Sequence, residues 1–136
     1  MSKIIYTNSD GIVSIITPAG DINDAIKDVP SGVSYEIVDD NKIPTDRTFR
    51  NAWVKGSGVV TEDVDRAREI AHQTRREKRA AEFKPNDDII ALNIPGTDIK
   101  AAEDARSQTR WKYKVMQDDL DRSKTISELK TALEDS

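Results

Sequence analysis

Apolar residues alternate or cluster in short β-branched runs over the first part of the chain, and recur every three or four positions over the rest; the change falls near residue 60. Residues 3–7 and 12–17 form two such runs around Asn8-Ser9-Asp10-Gly11, a turn in which Gly11 can take a positive φ. They predict an N-terminal hairpin. Asp21 is placed to cap a short helix over 22–28 with Ala25 and Ile26 inward, and Pro30-Ser31-Gly32 ends it. Ser34 to Val38 reads as a half-buried strand. Residues 48–54 and 59–60 flank Gly56-Ser57-Gly58 and predict a second hairpin, with Phe49 and Trp53 on one strand face as anchors.

Beyond residue 60 the period is helical. Thr61 can cap a helix with Glu62 and Asp63 in its first turn, where the helix dipole favours anions. Val64, Ala67, Ile70 or Ala71, and Ala81 with Phe83 form its apolar side. Pro85 is expected to end it at about residue 84, with Asn86 capping a short turn that carries Ile89, Ile90 and Leu92. After Pro95-Gly96-Thr97, a helix over about 98–121 carries Ile99, Ala102, Ala105 or Arg106, Thr109, Tyr113, Met116 and Leu120 as a packing seam. At 1.5 Å per residue it is about 35 Å long. The capping box Thr125-Ile126-Ser127-Glu128 opens a last helix over about 126–134, with Ile126, Leu129 and Leu133 on one stripe. The fold class expected is therefore α+β: a small β-rich lobe over 1–60, then a helical region over 61–136 built on a hairpin of long charged helices.

Composition refines this. Of 136 residues, 34% are charged and 36% hydrophobic, so much of the surface is solvated side chain while the apolar spacing still specifies a core. The small side chains of the first long helix release little free energy on burial, at about 25 cal/mol per Å². The helical half is therefore expected either to gain stability from a partner or to fold back on the β lobe. A net charge of −4 argues against the chain as a polyanion binder. The absence of cysteine excludes disulfides, thiolate metal sites and cysteine nucleophiles, and fits a reducing compartment. Residues 1–6 lack the apolar core of a secretion signal, and no apolar run approaches the ~20 residues of a membrane span. A cytoplasmic protein without membrane attachment is expected.

Little chemistry is on offer. The single histidine, His72, sits at helical spacing from Arg68, Arg75 and Arg76, a cationic setting that repels metal; it is expected to be a surface or packing residue. No nucleophile elbow or phosphate-binding loop is present, since Gly56-Ser57-Gly58 is not followed by the lysine and hydroxyl such a loop needs. The acidic pairs Asp87-Asp88 and Asp118-Asp119 read as a helix first turn and a solvated face. No catalysis, metal or cofactor is expected. Arg66, Arg68, Arg75, Arg76, Lys78, Arg79 and Lys84 make one helix basic, but Glu69, Glu77 and Glu82 interrupt it. This helix reads as a solvated face with local ion pairs such as Arg75 with Glu82, as a protein-contact face, or as a phosphate-binding face. Trp111 lies two residues from the seam residue Tyr113 and so points elsewhere; it is either a contact anchor or covered by the last helix.

The order of these features carries a resemblance. A basic helix through Arg75-Arg76 and Lys78-Arg79 leads to Asp87-Asp88-Ile89-Ile90, then to Pro95-Gly96-Thr97, then to Trp111-Lys112-Tyr113-Lys114-Val115-Met116-Gln117-Asp118-Asp119-Leu120. Over about the last 65 residues this resembles the tail and tail-fibre assembly chaperones of tailed bacteriophages. The N-terminal half, with Ile4-Ile5-Tyr6-Thr7-Asn8 and Pro44 to Trp53, is similar to small proteins of marine and cyanobacterial phages that sit among tail genes. Where that family closes on Trp-Pro, this chain has Leu129-Lys130-Thr131-Ala132-Leu133.

The resemblance implies a protein that binds a tail-fibre or other tail protein during assembly in the host cytoplasm, and is then released or retained in the virion tail. It implies Trp111, Tyr113 and Met116 as anchors, Arg75, Arg76 and Arg79 as electrostatic contacts, and the β lobe around Trp53 as a second contact or a site of homo-oligomer formation. The alternative is a permanent virion component of the baseplate, neck or capsid; a nucleic-acid-binding module is a further alternative.

Overall fold

The computed structural model describes residues 1–134. Its α+β architecture is an N-terminal antiparallel β region followed by long helices. The chain divides into two compact units after Ala67, inside the first turns of a long helix rather than at residue 60.

In the first unit, β1 (Ser2–Thr7) is the centre of a three-stranded sheet, flanked by β2 (Val13–Ile16) and β3 (Tyr35–Asp39), both antiparallel to it. The β1–β2 turn closes as its residues dictate. The Asn8 side-chain oxygen accepts from the amides of Asp10 and Ile12, and Gly11 takes φ +75°, which an L side chain resists. A short helix α1 (Ile22–Ala25) is capped by Asp21, whose carboxylate accepts from the Asn23 amide, and it tightens into a 3-10 turn over Ile26–Asp28. Strands β4 (Trp53–Lys55) and β5 (Val60–Glu62) form the second hairpin. Ile5, Val13, Val38, Trp53 and Val60 make one core, with Ile15 and Ile43 packed against it.

The half-buried strand expected at 34–38 forms as β3, while the strand expected over 48–54 is cut short. Tyr35 and Ile37 are exposed, while Val38 and not Ile37 enters the core. β3 is an edge strand paired only with β1, so the register to β1 (Lys3 opposite Val38, Ile4 opposite Ile37), not its own alternation, decides which face is buried. Phe49 is buried but lies outside any strand. Asp46 accepts from the Thr48 amide and hydroxyl, and the amides of Arg50 and Ala52 close on the carbonyls of Arg47 and Phe49. These local bonds take the N–H groups a strand would need, so the strand is confined to Trp53–Lys55.

Three helices follow, the first beginning in the first unit: α2 (Val64–Leu92), α3 (Ile99–Arg122) and α4 (Ile126–Glu134). The expected stop at residue 84 is overturned, because α2 runs through Pro85 for two more turns. Proline removes one N–H and crowds the carbonyl four residues earlier, that of Ala81. Both Ala81 and Pro85 lie on the exposed face, where water can serve that carbonyl. Asn86 therefore caps nothing, Asp87-Asp88 is mid-helix, and Ala81 is no part of the buried side. The helix stops instead at Asn93, whose φ of +46° is a left-handed cap, with its amide bonded to the Ile89 carbonyl.

Helix α3 starts on Asp98, whose carboxylate accepts from the Ala101 amide, and buries Ala102, Thr109, Tyr113, Met116 and Leu120 as its spacing predicts. It ends at Ser123, whose hydroxyl bonds the Asp119 carbonyl. In α4 the Thr125 hydroxyl accepts from the Glu128 amide, and the Glu128 carboxylate reaches back to the Lys124 amide. Leu129, Ala132 and Leu133 are buried. Among the described residues no helix is long and apolar enough to cross a membrane.

Candidate partner-binding surface

α2 and α3 run antiparallel, and polar pairs along their length fix the register. The Arg68 guanidinium donates to the carbonyls of Leu120 and Ser123, at 3.3 and 2.6 Å, covering orphan acceptors at the C-terminal end of α3. His72 Nε2 lies 2.8 Å from an Asp121 carboxylate oxygen. Glu82 meets Lys112 and Tyr113 of α3, and Asp87 meets Arg106 at 2.9 Å. The last pair attracts by charge alone, since the Arg106 Nε–H has no aligned acceptor. Lys78 donates to the Leu133 carbonyl in the last turn of α4.

These pairs assign the predicted residues to two groups. Tyr113 and Met116 are buried seam residues at 2% and 3% exposure, and Trp53 belongs to the core of the first unit. Arg75 is also buried. Its Nε donates to His72 Nδ1 at 3.2 Å instead of pairing with Glu82, so the ion pair expected from spacing is replaced. Since Nδ1 accepts that bond, Nε2 carries the proton given to Asp121, and His72 is a packing residue in one defined tautomer. Burial first, then the like charge of Arg76, holds the Arg75 guanidinium below its ordinary value.

Trp111, Arg76 and Arg79 remain at the surface. Trp111 is 68% exposed, so α4 does not cover it. At 100° per residue it lies almost opposite Tyr113, and Val115, one turn on, shares its side and is also exposed. Arg76 donates to the neighbouring Gln73 side chain. Arg79 lies 4.5 Å over the Phe83 ring, and Arg106 approaches the same ring at 5.7 Å. Together with Asp87 and Arg110 they line a recess of about 310 Å³.

Sequence reasoning missed Glu82, Asp121 and Val115. The two acids act across the hairpin and carry no local signal. Val115 was readable as the apolar residue one turn after an off-seam tryptophan.

The Glu82 carboxyl is held below the usual carboxylate range, chiefly by the Lys112 ammonium and then by the Tyr113 hydroxyl. Burial first, and then Glu82, pushes the Tyr113 phenol up to about 12. Each shift follows from a contact that ties α2 to α3, and none creates a group poised for proton transfer near neutrality. Among the described residues, no three histidine, aspartate or glutamate side chains are grouped to hold a metal ion. Comparison with protein-family models, with curated proteins and with solved structures finds no match.

Proposed function

We propose that this protein is a phage tail-fibre assembly chaperone or fibre-associated adaptor that binds a tail protein through the outer side of α3. The observation that carries the reading is Trp111, 68% exposed beside Val115 on a helix whose other side is already filled. Large exposed aromatics of this kind, ringed by charged side chains, are the residues on which protein interfaces concentrate binding free energy. Arg76 and Arg79 lie one helix away and supply steering charge. The resemblance of residues 75–120 to tail-assembly chaperones supplies the identity of the partner class. Covering an unpaired strand edge or apolar patch on a β-rich fibre is the physical task such a surface suits.

The test is co-expression with each neighbouring tail gene, followed by pull-down and native mass measurement. A stoichiometric complex with a fibre protein that is insoluble alone is the expected result. Trp111→Ala should weaken it about thirtyfold while leaving the unfolding midpoint of the free chain unchanged. Recovery of the uncomplexed chain with every tail protein would overturn the proposal.

A further inference from the structure

The first unit holds a groove of about 380 Å³ that follows Ile15, Ile43 and Pro44 and ends against Trp53. All the charged residues lining it are cations: Lys3, Arg47 and Arg50. Lys3 is neutralised by Asp40. Arg47 and Arg50 are placed otherwise. Their guanidinium groups lie over the Trp53 indole, 5.6 and 4.6 Å from its centroid.

Cation–π attraction explains why each guanidinium rests on the ring. It does not explain why two like charges converge there. Burial and then the like charge of Arg47 hold the Arg50 guanidinium below its ordinary value. Nor does stacking satisfy the donors. Arg50 Nη2 donates to the Val13 carbonyl at 2.8 Å, but Arg50 Nη1 and Trp53 Nε1 are buried N–H groups with no acceptor from the protein among the described residues. Buried donors of folded proteins are nearly always paired. The groove thus combines two guanidinium groups stacked on one indole, two buried donors without a protein acceptor among the described residues, and an apolar wall.

We infer that this groove binds an oxyanion, a carboxylate or phosphate on a small apolar body, with Arg47 and Arg50 as its fork, Trp53 as its platform, and Ile15, Ile43 and Pro44 against the body. A guanidinium fork matches either oxyanion bidentately. The inference is independent of the partner reading for the helical unit, because Trp111 takes no part in it.

The full chain is titrated at constant ionic strength with sodium phosphate and, separately, with N-acetylglutamate, while the two indole N–H signals are followed by NMR. Trp111→Phe assigns them. The expected result is a saturable shift of the Trp53 indole with a midpoint of about 1–10 mM, and no shift of Trp111. Arg47→Gln should raise the midpoint about tenfold. Lys42→Gln, which removes an exposed charge outside the groove, should not. Arg50→Lys keeps the charge but loses the fork, and should weaken binding as well. Saturation by one ligand alone assigns the source, and saturation by both keeps the shared chemistry. No saturation with either, an equal response to chloride, or equal effects of Arg47→Gln and Lys42→Gln would overturn the inference.

Discussion

The hydroxyl of Tyr113 donates to Oε1 of Glu82 at 2.8 Å, and the same carboxylate oxygen receives the Lys112 ammonium, so one acid on α2 holds two consecutive residues of α3. The hydroxyl sits on a seam residue that is 2% exposed. Loss of the phenol proton in this site would set a buried phenolate against the Glu82 carboxylate.

That contact predicts an alkaline limit to stability. Tyr113 titrates near 10.0 in the unfolded chain and at about 12 in the fold. A raised value means that the folded state favours the protonated phenol. Its contribution is therefore complete below pH 10 and declines as pH rises from 10 to 12. A shift of this size corresponds to a loss on the order of 2–3 kcal/mol. Tyr113→Phe should remove most of this slope, which urea unfolding series at pH 9 and pH 11 would measure. Glu82 acts in the opposite sense. Its depressed value gives stability that is complete above its ordinary value of 4.5 and is lost as pH falls through the folded value. Glu82→Gln should flatten the acid limb, by an amount that solvent screening keeps small. An alkaline limb unchanged in Tyr113→Phe would refute the assignment.

His72 makes a second prediction. With Nδ1 accepting from Arg75 and Nε2 near Asp121, the imidazole bridges a buried cation to α3. His72→Ala would strand the Arg75 guanidinium at a 9% exposed site and open a cavity beside it, at a cost of about 2–4 kcal/mol. Asp121→Ala leaves the Arg75 bond intact and should cost about 1 kcal/mol. Long-range ¹⁵N–¹H correlations should report the Nε2–H tautomer. The Nδ1–H form, or equal losses in the two variants, would show that Arg75 is not held in this way.

The features legible in the sequence were those decided within a few residues. The seam Ala102–Thr109–Tyr113–Met116–Leu120 follows from helical period alone, and Asp98 and Thr125 cap their helices by contacts three residues long. The features that were not legible depend on groups far along the chain. Arg75 reads as a solvated cation until His72 has Asp121, 49 residues away, as its partner. Tyr35 and Ile37 alternate like core residues, yet their face is fixed by pairing with β1, some 30 residues earlier. In the groove at Trp53, residues 3, 15, 43 and 50 come together only after the sheet has formed, so no spacing announces it.

Pro85 was misread for a different reason, and it makes the last prediction. A proline inside a helix costs about 3 kcal/mol relative to alanine when the carbonyl it orphans has no other partner. Here Ala81 and Pro85 both face solvent, and the backbone stays helical on either side to Leu92. Pro85→Ala restores the N–H and relieves the crowding at the Ala81 carbonyl. It also gives back conformational freedom to the unfolded chain, an offset of about 0.4–1 kcal/mol. The net effect should be stabilising by about 1–2 kcal/mol, read as a higher urea midpoint with an unchanged slope. Amides of residues 81–92 should exchange more slowly in the variant, because local opening at the proline is suppressed. A destabilised Pro85→Ala would mean instead that a bend at this residue is what brings Asp87 to Arg106 and Phe83 beneath its arginines.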